Sequence, residues 1–180
     1  GGQIAVAEAA RNVVCVGGEP IAITNCLNFG NPQDPEIYWQ FREAVTGIGE
    51  ACRSLNTPVT GGNVSFYNET GESAVYPTPV IGMVGLLENI KQNTTMEFKD
   101  AGDFIVTLGA LNGNLGGSEY LRTIYDKIQG PIPPLNMELE MGVQELCLEA
   151  IKKGIIKSAH DLSDGGLAVN ISESLVCSAM

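Results

Sequence analysis

Residues 57–69 read TPVTGGNVSFYNE, and the interpretation of the surrounding chain depends on this stretch. A short β-branched run meets a glycine pair (61–62), and glycine lacks the Cβ atom that keeps a backbone away from a bulky group. Asn63, Ser65 and Tyr67 follow at alternating positions, so on a strand their side chains would point to one face. Such a face could hold a phosphate, a metal ion or a polar substrate. A tight turn leading into an edge strand explains the same residues without a ligand.

Helical and strand patterns alternate on both sides of this stretch. Asp34 followed by Pro35 is typical of a helix N-terminus, because aspartate caps free backbone N–H groups and proline fits the first helical turn. The turn-forming letters NFGNP end an apolar run, as expected where a buried strand stops. The predicted helices span residues 3–16 and 35–55, and the predicted strands span residues 21–27 and 76–87.

A second set of elements follows a polar segment that ends near residue 98, where we place a domain boundary. We expect a strand at 104–109, a short helix beginning within 115–120, and an amphipathic helix at 136–153 that Gly154 terminates. A short strand from residue 155 and a final helix flank the polar turn SAHDLSDGG. Strands that alternate with helices indicate an α/β (or α+β) chain.

The composition limits the kinds of partner. The chain has 180 residues, of which 44% are hydrophobic and 17% are charged, and its net charge is −11. A charge of this sign argues against an unaided nucleic-acid or anionic-membrane surface. A nucleotide ligand remains compatible with it, because backbone N–H groups and Mg²⁺ can bind phosphates without many lysines.

The cysteines indicate a reducing compartment. Five cysteines are an odd number, no two form a CxxC pair, and their neighbours are mostly apolar. Neither a signal peptide nor a transmembrane run is visible in the sequence. We therefore expect a cytoplasmic protein.

Familiar catalytic motifs do not occur in the sequence. It has no Walker A motif, Rossmann glycine fingerprint or kinase signature, and the single histidine lacks the cysteine neighbours of a zinc site. What remains are three Gly-Gly-polar elements, at 61–65, 116–119 and 160–166. Within them Asn63 and Asp161 offer the oxygen ligands that suit Mg²⁺. Two alternatives stay open: residues 160–161 could form a hydrogen-bonded turn, and Asn25 with Asn28 could cap a turn instead of contacting a ligand.

These segments resemble one protein family when they are taken together. They are ITNCLNFGNP (23–32), EACRSLNTPVTGGNVSFYNE (50–69), PTPVIGMVGL (77–86), LGGSEY (115–120) and SAHDLSDGGLAV (158–169). The chain resembles the large (synthetase) subunit of the phosphoribosylformylglycinamidine synthase family, in the superfamily of aminoimidazole ribonucleotide synthetase and selenophosphate synthetase. The resemblance runs over nearly the whole chain and fits the second half of that internally duplicated subunit.

The resemblance implies a fold and a reaction. Residues 1–98 would form the synthetase N-terminal-like domain without its first strands, and residues 99–180 the start of the C-terminal-like domain. The family is a C–N ligase of purine biosynthesis, in which ATP activates the amide of formylglycinamide ribonucleotide and ammonia from glutamine replaces its oxygen. Implied partners are the first half of the same subunit, a glutaminase subunit or domain, and the ribonucleotide, with neither nucleic acid nor membrane.

Site residues follow from the same resemblance. Asn25 and Gly62 would contact ATP, Asn63 would ligate Mg²⁺, and Ser65 would contact the ribonucleotide. Relatives have Asp where this chain has Asn25, so a charge is lost while an oxygen is kept. By internal pseudosymmetry, Asp161 would match a metal-binding aspartate of the other half, and it would either serve a second, structural nucleotide site or be the vestige of one.

The resemblance assigns no catalytic residue to this chain. The family's catalytic histidine and main metal carboxylates belong to the first half, and His160 is not a substitute for that histidine. The apolar segments at both ends indicate a fragment, which we expect to be inactive alone. The alternative is a non-catalytic, nucleotide-stabilised scaffold or dimerisation half of the same enzyme, and Asn63→Ala would distinguish the two.

Overall fold

The structure, a computed structural model, describes residues 1–71, 73–111 and 113–178. Five α-helices occur in these ranges: α1 (Gly2–Cys15), α2 (Pro35–Leu55), α3 (Glu119–Tyr125), α4 (Met137–Lys152) and α5 (Gly166–Cys177). The strands are β1 (Glu19–Asn28), β2 (Val59–Ser65), β3 (Glu69–Thr70), β4 (Ser73–Ala74) and β5 (Thr78–Leu86). The predicted mixed α/β class is confirmed. No helix of the described part is long and apolar enough to cross a membrane.

The chain divides into two compact units. The first unit comprises Gly1–Val13 and Glu19–Leu86, and the second comprises Val14–Gly18 and the residues from Leu87 onward. Helix α1 therefore contributes its last two residues to the second unit. The boundary near residue 98 stays a prediction.

Local signals in the sequence set the ends of α1 and α2. The backbone of Gly17 is left-handed, with φ 88°, and its N–H donates to the Val14 carbonyl at 2.8 Å, which stops α1. A carboxylate oxygen of Asp34 accepts from the N–H of Glu36 at 2.8 Å and caps the start of α2. Asn56 is left-handed as well, with φ 53°, and terminates α2. Both predicted helices are confirmed.

β1 is the central strand of the sheet in the first unit, whose strand order is β2-β1-β5. It pairs in parallel with β2 and antiparallel with β5. Helix α2 joins β1 to β2 and supplies the crossover that a parallel pair requires. Buried apolar residues of β1, α1 and α2 form the core of the unit: Val6, Ala7, Ala10, Ile23, Leu27, Ile48 and Ala51.

The other face of this sheet is open. The register places Ala22 opposite Val84, Thr24 opposite Gly82 and Cys26 opposite Val80, so these residues share one face. Val80 and Val84 are 55% and 53% exposed. We call this surface the open sheet face; its members from β1 and β5 are Ala22, Thr24, Cys26, Asn28, Thr78, Val80, Gly82 and Val84.

Helix α4 organises the second unit. Asn136 caps its start, with the side-chain oxygen accepting from the N–H of Leu139 at 3.0 Å. The left-handed Gly154, at φ 66°, follows its end and donates to the Ile151 carbonyl at 2.9 Å. The buried cluster contains Val14, Cys147 and Ile151, against which Leu148, Ile156 and Ala159 pack. The helix predicted at 136–153 and its Gly154 terminator are confirmed, and so is the short helix after LGGS, which is α3.

The two strands predicted for the second unit are wrong. Residues 104–109 form neither a strand nor a helix, and Phe104 is 94% exposed. The segment from residue 155 makes one isolated parallel bridge, between Ser158 and Thr95. An apolar run becomes a strand only when a neighbouring strand accepts and donates its backbone hydrogen bonds, and the described residues of this unit provide no such neighbour.

Candidate functional site

The candidate site lies where β1 and β2 end side by side. Beyond the strands the two chains stay hydrogen-bonded: the N–H of Phe29 donates to the Ser65 carbonyl at 3.0 Å, and the N–H of Tyr67 donates to the Gly30 carbonyl at 3.0 Å. The N–H of Asn68 returns a bond to the Phe29 carbonyl at 3.1 Å. The segments 28–31 (NFGN) and 65–69 (SFYNE) therefore form one structure, which we call the strand-end corner.

Two side chains that the sequence analysis did not assign hold this corner together. The Asn68 amide nitrogen donates to the carbonyls of Phe29 and Ser65, both at 3.0 Å. The Glu69 carboxylate accepts from the N–H of Asn31 at 2.8 Å. The contacts of Asn68 with Phe29 and of Glu69 with Asn31 join residues 39 and 38 positions apart, so no local pattern could have identified them. The signal that the sequence offers for Asn68 and Glu69 is their residue type alone: an amide and a carboxylate that follow Tyr67, whose backbone is left-handed.

Aromatic packing supports the corner from the side of α2. The ring of Phe41 on α2 packs edge-to-face against Phe29 and against Phe66, with ring centroids 5.4 and 5.0 Å away. Phe29 is only 1% exposed. Because aromatic pairs of this geometry add about 0.5–1.5 kcal/mol beyond their buried area, the corner is anchored to the helix.

Gly62 and Asn25 lie directly opposite each other, as neighbours in the parallel register. The φ angle of Gly62 is 150°, a conformation that side-chain-bearing residues rarely adopt. A Cβ atom at Gly62 would collide with the backbone carbonyl and the side-chain oxygen of Asn25. The contact with Asn25 therefore explains within this chain why position 62 is glycine.

No contact with the described residues explains why position 61 is glycine. A Cβ atom placed on it would meet nothing within 4 Å, and its φ lies outside the glycine-favouring range. β2 is also an edge strand, so the backbone groups on its outer side have no strand partner in the described sheet. A ligand that approaches this edge closely would account for the second glycine.

Asn63 and Ser65 share the open sheet face. The register pairs Asn63 with Cys26 and Ser65 with Asn28, so both side chains lie on the face opposite to Asn25. Asn63 is exposed, and Ser65 is half-buried with its hydroxyl within 3.3 Å of the Asn68 side chain. The structure brings Asn63 and Ser65 together, and separately brings Gly62 and Asn25 together.

The expectation that Tyr67 continues this alternation is wrong. β2 ends at Ser65, and the backbone of Tyr67 is left-handed, with φ 59°. Its N–H donates to the Gly30 carbonyl, and this bond turns the chain away from the strand direction.

Asp161 belongs to the second unit and is buried there. Its side chain is 6% exposed; one carboxylate oxygen lies 3.3 Å from Nδ1 of His160, and the other has no hydrogen-bond partner among the described residues. Nε2 of His160 lies 3.0 Å from the Glu173 carboxylate, and the amide of Asn170 donates to the Asp161 carbonyl at 2.6 Å. The hydrogen-bonded turn before α5 is not at 160–161 but at 163–166, where the N–H of Gly166 donates to the Ser163 carbonyl at 3.1 Å. The second Asp161 oxygen is compatible with a cation.

The remaining polar groups limit what either site can do. Within residues 1–71, 73–111 and 113–178, no three His, Cys, Asp or Glu side chains are grouped so that they could hold a metal ion. A cation near Asn63 would therefore have amide and hydroxyl oxygens from this chain and would take its carboxylates from elsewhere. Mg²⁺ accepts such sparse protein ligation because it retains several waters.

Two models of one protein family match this chain. A model described as AIR synthase related protein, N-terminal domain, matches residues 1–87, and the corresponding C-terminal domain model matches residues 100–178. Both domains of one family are thus present in order. The chain belongs to the AIR synthase-related family.

Solved structures of two kinds of protein are similar to this chain. Phosphoribosylformylglycinamidine synthase II from Thermotoga maritima is 25% identical over 96% of this chain, with a TM-score of 0.60. The T. maritima PurL structure complexed with FGAR gives 24% identity and a TM-score of 0.61. E. coli HypE, a hydrogenase maturation protein, covers 98% of this chain with a TM-score of 0.69 but only 16% identity, which shows the shared fold alone. The chain spans 25% of the Thermotoga synthase and 51% of HypE.

Proposed function

We propose that this chain is part of a phosphoribosylformylglycinamidine synthase. That enzyme is an ATP-dependent C–N ligase, which converts formylglycinamide ribonucleotide and ammonia derived from glutamine into formylglycinamidine ribonucleotide during purine biosynthesis. The observation that carries the proposal is the strand-end corner, in which parts of two segments that resemble the synthase family form one hydrogen-bonded structure. The 25% identity to the Thermotoga synthase over 96% of the chain supports the same conclusion.

The nucleotide would lie along the edge of β2. T. maritima PurL has been solved in complex with ATP. In this chain the two glycines leave the outer edge of β2 free of side chains, and the amide of Asn25 lies against Gly62. Backbone N–H groups at such an edge can bind phosphate oxygens without a lysine. We assign Gly62 and Asn25 to ATP, with Asn25 acting as a hydrogen-bonding group without charge.

Mg²⁺ and the ribonucleotide would use the open sheet face. Bound Mg²⁺ would neutralise phosphoryl charge as it does in other ATP-dependent transfers. Asn63 is exposed and makes no hydrogen bond to the described residues, so its amide oxygen is available as a ligand. Ser65 would contact the ribonucleotide by exchanging its bond to Asn68 for one to the substrate.

The open sheet face also supports the partner assignment. Its exposed valines would lose water contact if another domain covered them, at about 25 cal/mol for each Å² of apolar surface buried. We infer that the first half of the same synthetase subunit covers this face and supplies the missing carboxylates and catalytic histidine. A glutaminase subunit or domain would deliver the ammonia.

Asp161 would serve a second metal site. Its unpartnered carboxylate oxygen is buried, and an uncompensated buried charge is costly unless a cation or proton neutralises it. We assign Mg²⁺ to this oxygen, as part of a nucleotide site that stabilises the second unit and performs no chemistry.

The exposed apolar surface also favours a second candidate function, that of a scaffold. In this alternative the chain binds a nucleotide for stability and dimerises with the first half, while all substrate contacts lie elsewhere. The two functions predict different roles for Asn63, because a scaffold needs no metal ligand on the open sheet face.

Asn63→Ala in the full-length enzyme tests the proposal, with Asn12→Ala as a matched control. Asn12 is an exposed asparagine on α1 whose amide, among the described residues, donates to the Glu8 carbonyl of its own helix. We expect Asn63→Ala to lower kcat/KM by about 10–100-fold and to raise the Mg²⁺ concentration needed for half-maximal rate, as for other metal-ligand losses. Unchanged kcat/KM together with a lower melting temperature would support the scaffold instead.

The chain alone is expected to be inactive. When it is mixed with ATP, formylglycinamide ribonucleotide and ammonia, no steady release of ADP should be detected. Sustained ADP release that depends on the ribonucleotide would contradict the assignment of the catalytic groups to the first half.

A further inference from the structure

Two cysteines of the second unit form a thiol pair. Cys15 is the last residue of α1, and Cys147 lies in the middle of α4. Cys147 packs in the buried cluster directly beside Val14, the residue that precedes Cys15. The two thiols are hydrogen-bonded to each other. Neither the family assignment nor the proposed function gives this pair a role.

The local structure holds the two thiols in place. The hydroxyl of Thr94 donates to the Cys15 carbonyl at 2.6 Å, and the N–H of Thr94 donates to the Val16 carbonyl at 3.4 Å. Gly17 is in close contact with Ile151 of α4, since an added Cβ would lie 3.2 Å from its side chain. The end of α1 is therefore fixed against α4 on both sides of the pair.

The pair differs from the other thiols of the chain. Cys177 is exposed, while Cys26 and Cys52 lie in the first unit. A hydrogen bond from Cys15 lowers the pKa of the Cys147 thiol, although burial opposes the shift. Cys147, which accepts this bond, is therefore the more easily ionised of the two cysteines. The ionised form matters because the thiolate is the reactive form of a cysteine.

We propose that Cys15 and Cys147 form a disulfide by exchange with a low-molecular-weight disulfide such as oxidised glutathione. Cys15 is only half-buried, so its thiolate meets the external disulfide first. It attacks one glutathione sulfur, the glutathione S–S bond breaks, and one glutathione thiolate leaves.

The second step closes the protein disulfide. The Cys147 thiolate attacks the Cys15 sulfur of the mixed disulfide and displaces the second glutathione thiolate. The two thiolates released take up the two protons that Cys15 and Cys147 lost. In the balance, two protein thiols and one glutathione disulfide yield one protein disulfide and two glutathione thiols.

The bond would tie the end of α1 to α4 and close a loop of more than half the chain. A cross-link across so long a loop removes more conformational freedom from the unfolded chain than a short-range one does. The oxidised chain should therefore melt about 10 °C higher than the reduced chain.

Peptide mapping after native oxidation tests the proposal. The folded chain is treated with oxidised glutathione, quenched with an alkylating reagent and digested. We expect a linked Cys15–Cys147 peptide, the loss of two hydrogen atoms from the intact mass, and a higher melting temperature that dithiothreitol reverses. In Cys15→Ser and in Cys147→Ala the linked peptide and the temperature shift should both be absent, while Cys177→Ser should retain them.

Other products would overturn the inference. A stable glutathione adduct on Cys15 with Cys147 still open to alkylation would show that the thiols cannot reach bonding distance. Pairing of either cysteine with a different cysteine in the native state would equally contradict it. The same treatment in concentrated urea should scramble the products, and a preserved preference for Cys15–Cys147 there would show that the native contact is not the cause.

Discussion

Substitution of Gly62 by alanine should destabilise the first unit strongly. The added Cβ meets the Asn25 backbone carbonyl as well as its side-chain oxygen, and its nearest nitrogen contact, the Asn25 N, is 3.0 Å away. The Asn25 side chain can rotate away, but its backbone is held between β2 and β5 and cannot. The φ of 150° adds backbone strain. Strain of about 1–3 kcal/mol and overpacking of about 1–3 kcal/mol give a loss of about 2–6 kcal/mol.

Gly61→Ala is the matched control, because it adds the same methyl group one residue earlier, where nothing lies within 4 Å. We expect a change within about 0.5 kcal/mol, since a substitution without a new contact or strain is usually that small. Urea unfolding of both variants and the wild type, followed by far-UV circular dichroism, measures the difference. Equal losses for Gly61→Ala and Gly62→Ala, or no loss for Gly62→Ala, would refute the reasoning.

Two further outcomes follow from contacts described above. Asn68→Ala removes the amide that donates to the carbonyls of Phe29 and Ser65, so the free energy of unfolding should fall by about 1–3 kcal/mol in the same urea assay. A smaller loss than the one caused by replacing an exposed asparagine such as Asn12 would contradict a stabilising role of these two bonds. A hydrogen bond from Lys99 is the main cause that lowers the pKa of Glu97 from 4.5 to about 2. The ionised Glu97 therefore stabilises the folded chain fully above pH 4.5, and this contribution is lost as the pH falls through 2. Glu97→Gln should remove this dependence, and the stability gap between wild type and variant should close as the pH is lowered from 4.5 to about 2; a gap that stays constant would contradict the assigned cause.

Helices were predicted well because their signals are local. Asp34 and Pro35 start α2, and Gly154 stops α4, through contacts with residues at most four positions away. The amphipathic pattern then fixes the face that is buried. Such signals do not depend on what the rest of the chain does.

Strands and the corner were predicted less well because their partners are distant. The run at 104–109 has the composition of a strand but lacks a neighbour to pair with, and Tyr67 left the strand because its N–H bonds to Gly30. The Asn68 clamp bridges residues 39 positions apart. The glycine pair was recognised, but only the pairing of β1 with β2 shows that Gly62 and Gly61 are glycine for different reasons.

The central position of β1 has a consequence for biosynthesis. Both of its neighbours in the described sheet, β2 and β5, come later in the chain, so β1 emerges from the ribosome before either of these two partners. Helix α2 emerges next and can form locally with its own caps, whereas the sheet must wait until Leu86 has been synthesised. During this interval Ile23 and Leu27 can pack against α1 and α2, but the backbone groups of β1 have no strand partner, and an unpaired strand edge makes a nascent chain prone to aggregation. The order of the strands along the chain thus makes completion of the first unit a single late event of translation.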